Sequence, residues 1–254
     1  MSRVVVTGGT GQVGRALIPL LDAAGHDVRV LSRRPGPGQG HTVVRADLVS
    51  GAGVADAMRD ADVVVHLATT NGRRDVDLAR TLVAALRTVP AAEGRPAHLI
   101  YLSIVGSDRI PLAYYRHKTS AEELAVASGL PVTVLRSTQF HTLVARLFAS
   151  QRALPGLGVP AIPMQPIDVG EVAARLAELV AAPPAGRVPD IGGPQIEPLA
   201  TFAAQWQRAH GRPARQLPLR VPGPTFAAYR RGLHTVPGPG FGTRTFADFL
   251  AHHG

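Results

Sequence analysis

Lys118 is the only lysine in a chain with 26 arginines, and it stands four residues after Tyr114 in the segment Tyr114-Tyr115-Arg116-His117-Lys118. The two kinds of cation do different work. A guanidinium is always charged and forked, whereas an ammonium is a compact point charge that draws down a neighbouring phenol's pKa and takes part in proton relay. A spacing of four puts both side chains on one helical face, one turn apart. The chemistry on offer is acid/base work by a tyrosine. Tyr115 competes for that role from about 100° round the same helix.

A second cluster offers anion binding. A β-branched stretch, Val4-Val5-Val6-Thr7, runs through Gly8-Gly9-Thr10-Gly11-Gln12-Val13-Gly14 into an apolar-periodic segment. Strand, glycine loop and helix in that order are what a nucleotide site needs. Gly8 permits a tight turn, Gly11 lets backbone approach a pyrophosphate, and Gly14 allows close packing of helix on strand, with the helix N-terminus facing the anion. The spacing is G-x-x-G-x-x-G, which differs from the G-x-G-x-x-G of common dinucleotide folds. A plain turn before a helix is the alternative.

The elements that must position these residues alternate between strand and helix patterns. Strands are expected near residues 4–7, 28–32, 42–45, 63–68, 98–103 and 132–136. Helices are expected near 12–24, 54–58, 75–89 and 114–128, with Gly25 and Gly129 as stop signals. Six strands of this kind make an α/β, doubly wound parallel sheet, a Rossmann core over residues 1–140. Beyond Thr138 proline and glycine become frequent, as in Pro222-Gly223-Pro224 and Pro237-Gly238-Pro239-Gly240. Residues 141–254 are expected to form a small C-terminal lobe that covers the substrate and is partly integrated with the core, with helices near 168–181, 199–210, 225–233 and 245–252. Asp168 reads as the N-cap of the first of these, with Glu171 completing a capping box.

Composition narrows the function classes. A length of 254 residues suits one large α/β domain with a small appended lobe. No apolar run approaches the roughly 18 residues of a membrane span, and the first residues read as a core strand, so no signal peptide is expected. The expected location is the cytoplasm. With no cysteine there are no disulfides, thiolate metal sites or cysteine nucleophiles, and the ten histidines form no close i, i+4 metal pair. A net charge of +9 raises the question of nucleic acid, but the arginines are scattered, with no basic helix face or aromatic interleaving, so no nucleic-acid partner is expected.

Together these features resemble the short-chain dehydrogenase/reductase superfamily, in its atypical, NmrA-like branch of NAD(P)H-binding proteins. The resemblance rests on Thr7 to Gly14, His66-Leu67-Ala68, Ser103-Ile104-Val105-Gly106, Tyr114 to Lys118, Leu135 to Phe140, and Gln165-Pro166-Ile167-Asp168-Val169. It implies that Thr7, Gly8, Thr10, Gly11, Gln12 and Val13 hold the dinucleotide, that Asp47-Leu48 hold its adenine, and that Ala68 and Thr69 pass its second ribose and pyrophosphate. Ser137 and Thr138 would lie near the nicotinamide, with Phe140 and His141 facing substrate. Cofactor choice is set where the second strand ends. There Ser32-Arg33-Arg34 has no carboxylate for a ribose 2'-hydroxyl and two guanidiniums for a 2'-phosphate, so NADP(H) is expected.

The resemblance also implies catalytic roles. Tyr114 would be the acid for a developing alkoxide, Lys118 would favour the phenolate and hold the nicotinamide ribose, and Ser103 would hydrogen-bond the substrate oxygen. The gap from Ser103 to Tyr114 is shorter than the family's usual spacing, and many members of this branch lack the tyrosine. The leading expectation is an NADPH-dependent reductase of a carbonyl, enone or quinone on an apolar small molecule, as a monomer or homodimer. Two other readings stay open: a noncatalytic NADP(H)-sensing regulator, and a redox-neutral isomerase, dehydratase or cyclase.

Overall fold

The computed structural model describes residues 1–34, 41–89 and 94–253. Its first half contains β1 (Arg3–Thr7), α1 (Gln12–Ala23), β2 (Asp27–Ser32), β3 (Thr42–Arg45), α2 (Val54–Met58), β4 (Val63–His66), α3 (Arg74–Thr88), β5 (His98–Ile104), α4 (Ala113–Val126) and β6 (Val132–Ser137). The second half contains α5 (His141–Ala149), β7 (Gly156–Pro160), β8 (Pro163–Met164), α6 (Val169–Ala181), β9 (Gly186–Arg187), β10 (Glu197–Pro198), α7 (Leu199–Ala209), β11 (Arg215–Leu219), α8 (Pro224–Arg230) and α9 (Phe246–His253).

Seven strands form one parallel sheet in the order β3-β2-β1-β4-β5-β6-β9. The four residues of β4 are buried throughout, as are the last four of β1, which is why both read as unbroken valine runs with no alternation. α1 covers the sheet with a stripe of Val13, Leu17, Ile18 and Leu21 at helical spacing. The strand order reverses between β1 and β4, and ligands of such sheets sit outside the carboxyl ends of the strands at that point. The seventh strand escaped the sequence pattern because it is only two residues, Gly186 and Arg187, both exposed, and it joins the sheet by parallel pairing with Thr133 and Val134.

The chain packs as two compact units that interleave in sequence. Unit 1 is Met1–Ser103, Arg116–Leu135 and Val172–Pro189, and unit 2 is Ile104–Tyr115, Arg136–Glu171 and Asp190–Gly254. The sequence placed a boundary at residues 140 and 141 with the C-terminal part partly integrated with the core, and here β9, from beyond that boundary, returns to extend the sheet next to β6. Unit 1 is built on an aliphatic core that includes Val5, Val64, Leu82, Leu99 and Val134. The core of unit 2 gathers Phe148, Phe202, Trp206 and Phe246. In unit 2 the parallel pair β7 and β11 and the helix α5 were not anticipated from sequence.

Asp168 does cap α6, its Oδ1 accepting the Gly170 N–H at 2.8 Å. Glu171 corrects the expected capping box. Its carboxylate instead accepts the Thr243 hydroxyl at 2.9 Å and the Arg244 N–H at 3.1 Å, a tie made within unit 2. Among the described residues no helix is long and apolar enough to cross a membrane, and no group of histidine and carboxylate side chains could hold a metal ion.

Candidate functional site

The loop after β1 is held against the loop after β4 by the last residue of β1. Thr7 pairs in register with His66, its Oγ1 lies 2.8 Å from His66 Nδ1, and its carbonyl accepts the Leu67 N–H at 3.1 Å. Gly8 then turns with φ at +70°, and a Cβ there would stand 2.7 Å from the backbone of Leu67 and Ala68. A Cβ on Gly14 would stand 2.5 Å from Gly9 Cα and 2.7 Å from the Gly8 carbonyl oxygen. Gly11 is the N-cap of α1 and supplies no side-chain acceptor, and the first turn of the helix has no acidic residue. Thr10 and Gly11 are exposed, Gln12 is half-buried and Val13 is buried. The result is a backbone concavity at a positive helix terminus, with no carboxylate in that turn to oppose an anion. It fits the pyrophosphate of a dinucleotide.

This geometry makes Gly14→Ala a sensitive test. The added methyl meets backbone on two sides, so the loop must move and cannot simply rotate a neighbour away. Overpacking of this kind costs about 1–3 kcal/mol, and the displaced loop is expected to lose affinity for NAD(P)H. Isothermal titration alongside thermal melting separates the two losses.

At the end of β2, Ser32 is half-buried and Arg33 and Arg34 are exposed; the Ser32 hydroxyl accepts the Arg34 N–H at 3.2 Å and so shapes the turn that presents both guanidiniums. After β3, Asp47 uses its carboxylate on its own turn, accepting from the Val49 N–H at 2.9 Å and the Ser50 hydroxyl at 3.2 Å. Leu48 is buried in the core of unit 1.

Lys118 is buried at 6% exposure, with its ammonium among groups of unit 1. Nζ lies 3.9 Å from Asp75 Oδ2 and 5.2 Å from the centroid of the Tyr101 ring. Asp75, itself only 2% exposed, was missed as a functional residue in the sequence. Its Oδ2 accepts the Thr69 hydroxyl at 2.6 Å, and its Oδ1 accepts the N–H and hydroxyl of Thr70 at 2.6 and 2.8 Å. The only sequence signal was an acidic residue in the first turn of a helix, which ordinarily means favourable alignment with the helix dipole. Burial pushes the Lys118 ammonium below the usual lysine range, while Asp75 and then Glu122 pull it back up. The same burial, with Lys118 nearby, takes His66 down to about 3.

Ser103, at the end of unit 1's β5 segment, is 1% exposed, and its Oγ has no hydrogen-bond partner among the described residues. Tyr114 and Lys118 occupy the same helix, α4, four residues apart, and Tyr114 is partly exposed. Tyr115 is different. It is buried with Ile110 and Ala228 in unit 2, its hydroxyl accepts from Gln139 Nε2 at 3.1 Å, and burial drives its phenol far above the ordinary range. A phenol held so firmly neutral is a packing residue of unit 2.

In unit 2, Ser137 bridges to Ile191, and Thr138 is 2% exposed with its Oγ1 lacking a hydrogen-bond partner among the described residues. Phe140 is half-buried and caps α5 by backbone geometry. His141 departs from its expected place facing substrate. Its ring packs against Phe246 and Phe249, and Nε2 bonds the Arg244 carbonyl at 3.1 Å, so it joins α5 to the C-terminal segment. Packing won because the residue opens a helix whose inner face is apolar.

Four buried histidines, His66, His98, His141 and His234, sit below the ordinary range, His234 at about 4. Burial disfavours the charged form of each in the folded chain, so the unfolded chain takes up protons first as pH falls below 6.5. Stability is therefore expected to decline from pH 6.5 towards 5, by up to about 1.4 kcal/mol per pH unit for each histidine. Urea denaturation at several pH values checks this, and His234→Gln is expected to reduce the slope by one proton's worth.

A family model described as NAD(P)H-binding matches residues 8–178. Over 71 residues, 27% of this chain, the sequence is 41% identical to a 3-beta-hydroxysteroid dehydrogenase of Mycolicibacterium neoaurum, and the match covers 19% of that protein. The chain thus spans about a fifth of the length of the curated relatives it matches. Among solved structures, a nucleoside-diphosphate-sugar epimerase from Staphylococcus aureus superposes with a TM-score of 0.82 at 17% identity, covering 98% of this chain and 99% of that one. The NADPH-dependent quinone oxidoreductase QOR2 of Escherichia coli, complexed with NADPH, superposes with a TM-score of 0.82 at 18% identity and the same coverage. At these identities the likeness establishes the fold.

Proposed function

This chain belongs to the NAD(P)H-binding family, and on that premise we propose that it is an NADP(H)-dependent oxidoreductase of the short-chain dehydrogenase/reductase type. Its substrate is a carbonyl, enone or quinone of an apolar small molecule. The observation that carries this reading is the pairing of a glycine cradle, in which backbone leaves no room for a Cβ at Gly8 or Gly14, with a helix that holds Tyr114 and the chain's sole lysine. The two exposed guanidiniums that follow β2, in a Ser32-Arg33-Arg34 segment that contains no carboxylate, support NADPH over NADH.

When bound, the nicotinamide supplies or removes the hydride. The chain handles the proton. Tyr114 gives its phenolic proton to the oxygen that becomes an alkoxide, and the charge of Lys118, one turn along the same helix, favours the phenolate left behind. The unengaged Ser103 hydroxyl is suited to hydrogen-bond the substrate oxygen. Asp47 and Leu48 flank the adenine, while Ala68 and Thr69 line the path of the second ribose and pyrophosphate. Ser137, Thr138 and Phe140 lie towards the nicotinamide and substrate. We place the protein in the cytoplasm, as a monomer or homodimer acting without nucleic acid.

The test is a titration of purified protein with NADPH and NADH, followed by cofactor oxidation against a panel of quinones, enones and ketones. Selective NADPH binding with oxidation by at least one class supports the reading. Tight NADPH binding with no oxidation moves the assignment to a sensor or to redox-neutral chemistry.

A further inference from the structure

Asp75 joins the loop after β4 to the ammonium of Lys118. One carboxylate oxygen, Oδ2, receives the Thr69 hydroxyl at 2.6 Å and faces Lys118 Nζ at 3.9 Å. The other, Oδ1, is held by the Thr70 N–H and hydroxyl. The four groups belong to unit 1, and Asp75 and Lys118 are both buried while Thr69 and Thr70 are exposed. A buried carboxylate needs its lone pairs satisfied. Here the loop satisfies most of them, and the lysine receives what charge the loop leaves uncompensated. A shift of the threonines therefore changes the field at the ammonium.

We propose that Asp75 is a positioning residue that couples the loop after β4 to Lys118, so that seating a dinucleotide against the loop changes how firmly the lysine holds its proton. This rests on the reading above that Thr69 and Lys118 both serve the dinucleotide. The groups facing Lys118 are Asp75 on α3, Glu122 on its own helix, Tyr101 on β5 and His66 on β4. His66 stays neutral near neutral pH, so Asp75 and Glu122 are the charged partners. Asp75 is also bonded to the loop, through Thr69 and Thr70.

The single lysine allows a direct test that does not depend on turnover. Protein grown with isotope-labelled lysine gives one side-chain resonance by NMR, and its pH titration reports Lys118 alone. Asp75→Asn keeps an acceptor for Thr70 and removes the charge, so the lysine titration is expected to move down by about one to three pH units. Thr69→Val, at an exposed position, removes a donor from Oδ2 and is expected to move it up. Adding NADPH to the parent protein is expected to shift the titration, and adding it to Asp75→Asn is expected to shift it much less. A titration unmoved by either substitution, or an equal NADPH response in parent and Asp75→Asn, overturns the proposal. Should Asp75→Asn fail to fold by circular dichroism, the sign of the Thr69→Val shift decides alone, a downward or absent shift counting against the coupling. Failure of the oxidoreductase reading is distinct: it appears as absent NADPH oxidation with these titrations intact.

Discussion

Tyr114→Phe is expected to lower NADPH oxidation by about 10²- to 10⁴-fold, the contribution of one positioned general acid, while leaving NADPH affinity unchanged. The phenyl ring keeps the packing of Tyr114 beside Ile110 and Tyr115 and deletes the hydroxyl with its dissociable proton. Loss of rate without loss of binding therefore assigns the proton to this hydroxyl. The contrast with Tyr115→Phe is informative. Tyr115 is buried, bonded by Gln139 and held neutral, so its substitution is expected to cost stability by removing a buried hydrogen bond, about 1 kcal/mol, and to leave the pH profile of oxidation in place. Lys118→Ala is expected to reduce rate and affinity together. Stopped-flow oxidation with parallel binding titrations distinguishes these patterns. An unchanged rate in Tyr114→Phe would remove the tyrosine from the mechanism.

The second large effect concerns cofactor choice. Replacing both Arg33 and Arg34 by alanine is expected to weaken NADPH binding by about 10- to 100-fold, the value of one or two charge-assisted hydrogen bonds, and to leave NADH binding nearly as it was. The two cofactors differ only in the 2'-phosphate, so selective loss identifies the guanidiniums as its partners. Both side chains are exposed, which also predicts that NADPH affinity falls with added salt and that the double substitution blunts this dependence. Equal weakening for both cofactors would indicate a disturbed turn at Ser32, whose hydroxyl bonds the Arg34 backbone. No change would overturn the NADPH preference.

Much of the nucleotide half was legible because its signals are local. A valine run followed by glycines and an apolar helix specifies strand, turn and helix through backbone sterics alone, and the structure places β1 and α1 within a residue of the expected bounds. The expected strand over residues 63–68 ends early, at His66, because Leu67 and Ala68 turn to donate their N–H groups to Thr7. The second half was less legible. α5 carries Pro- and Gly-free sequence but follows a strand directly, and β8, β9 and β10 are two residues each, below any periodic pattern.

The sequence by itself determined the α/β class, the strand and helix order through residue 137, the glycine cradle and the i, i+4 relation of Tyr114 to Lys118, because each follows from periodicity, steric freedom or helical spacing within a few residues. Tertiary structure decided what each charged or polar group touches. Lys118 meets Asp75 only because β4, β5, α3 and α4 are assembled around the same point, and Glu171 takes Thr243 and Arg244 only because the chain's end returns to that residue. His141 turns into an aromatic core for the same reason. Contacts between residues far apart in sequence leave no local pattern, since many side-chain types can occupy either end, and the choice among them is made by burial and hydrogen-bond satisfaction once the sheet is formed.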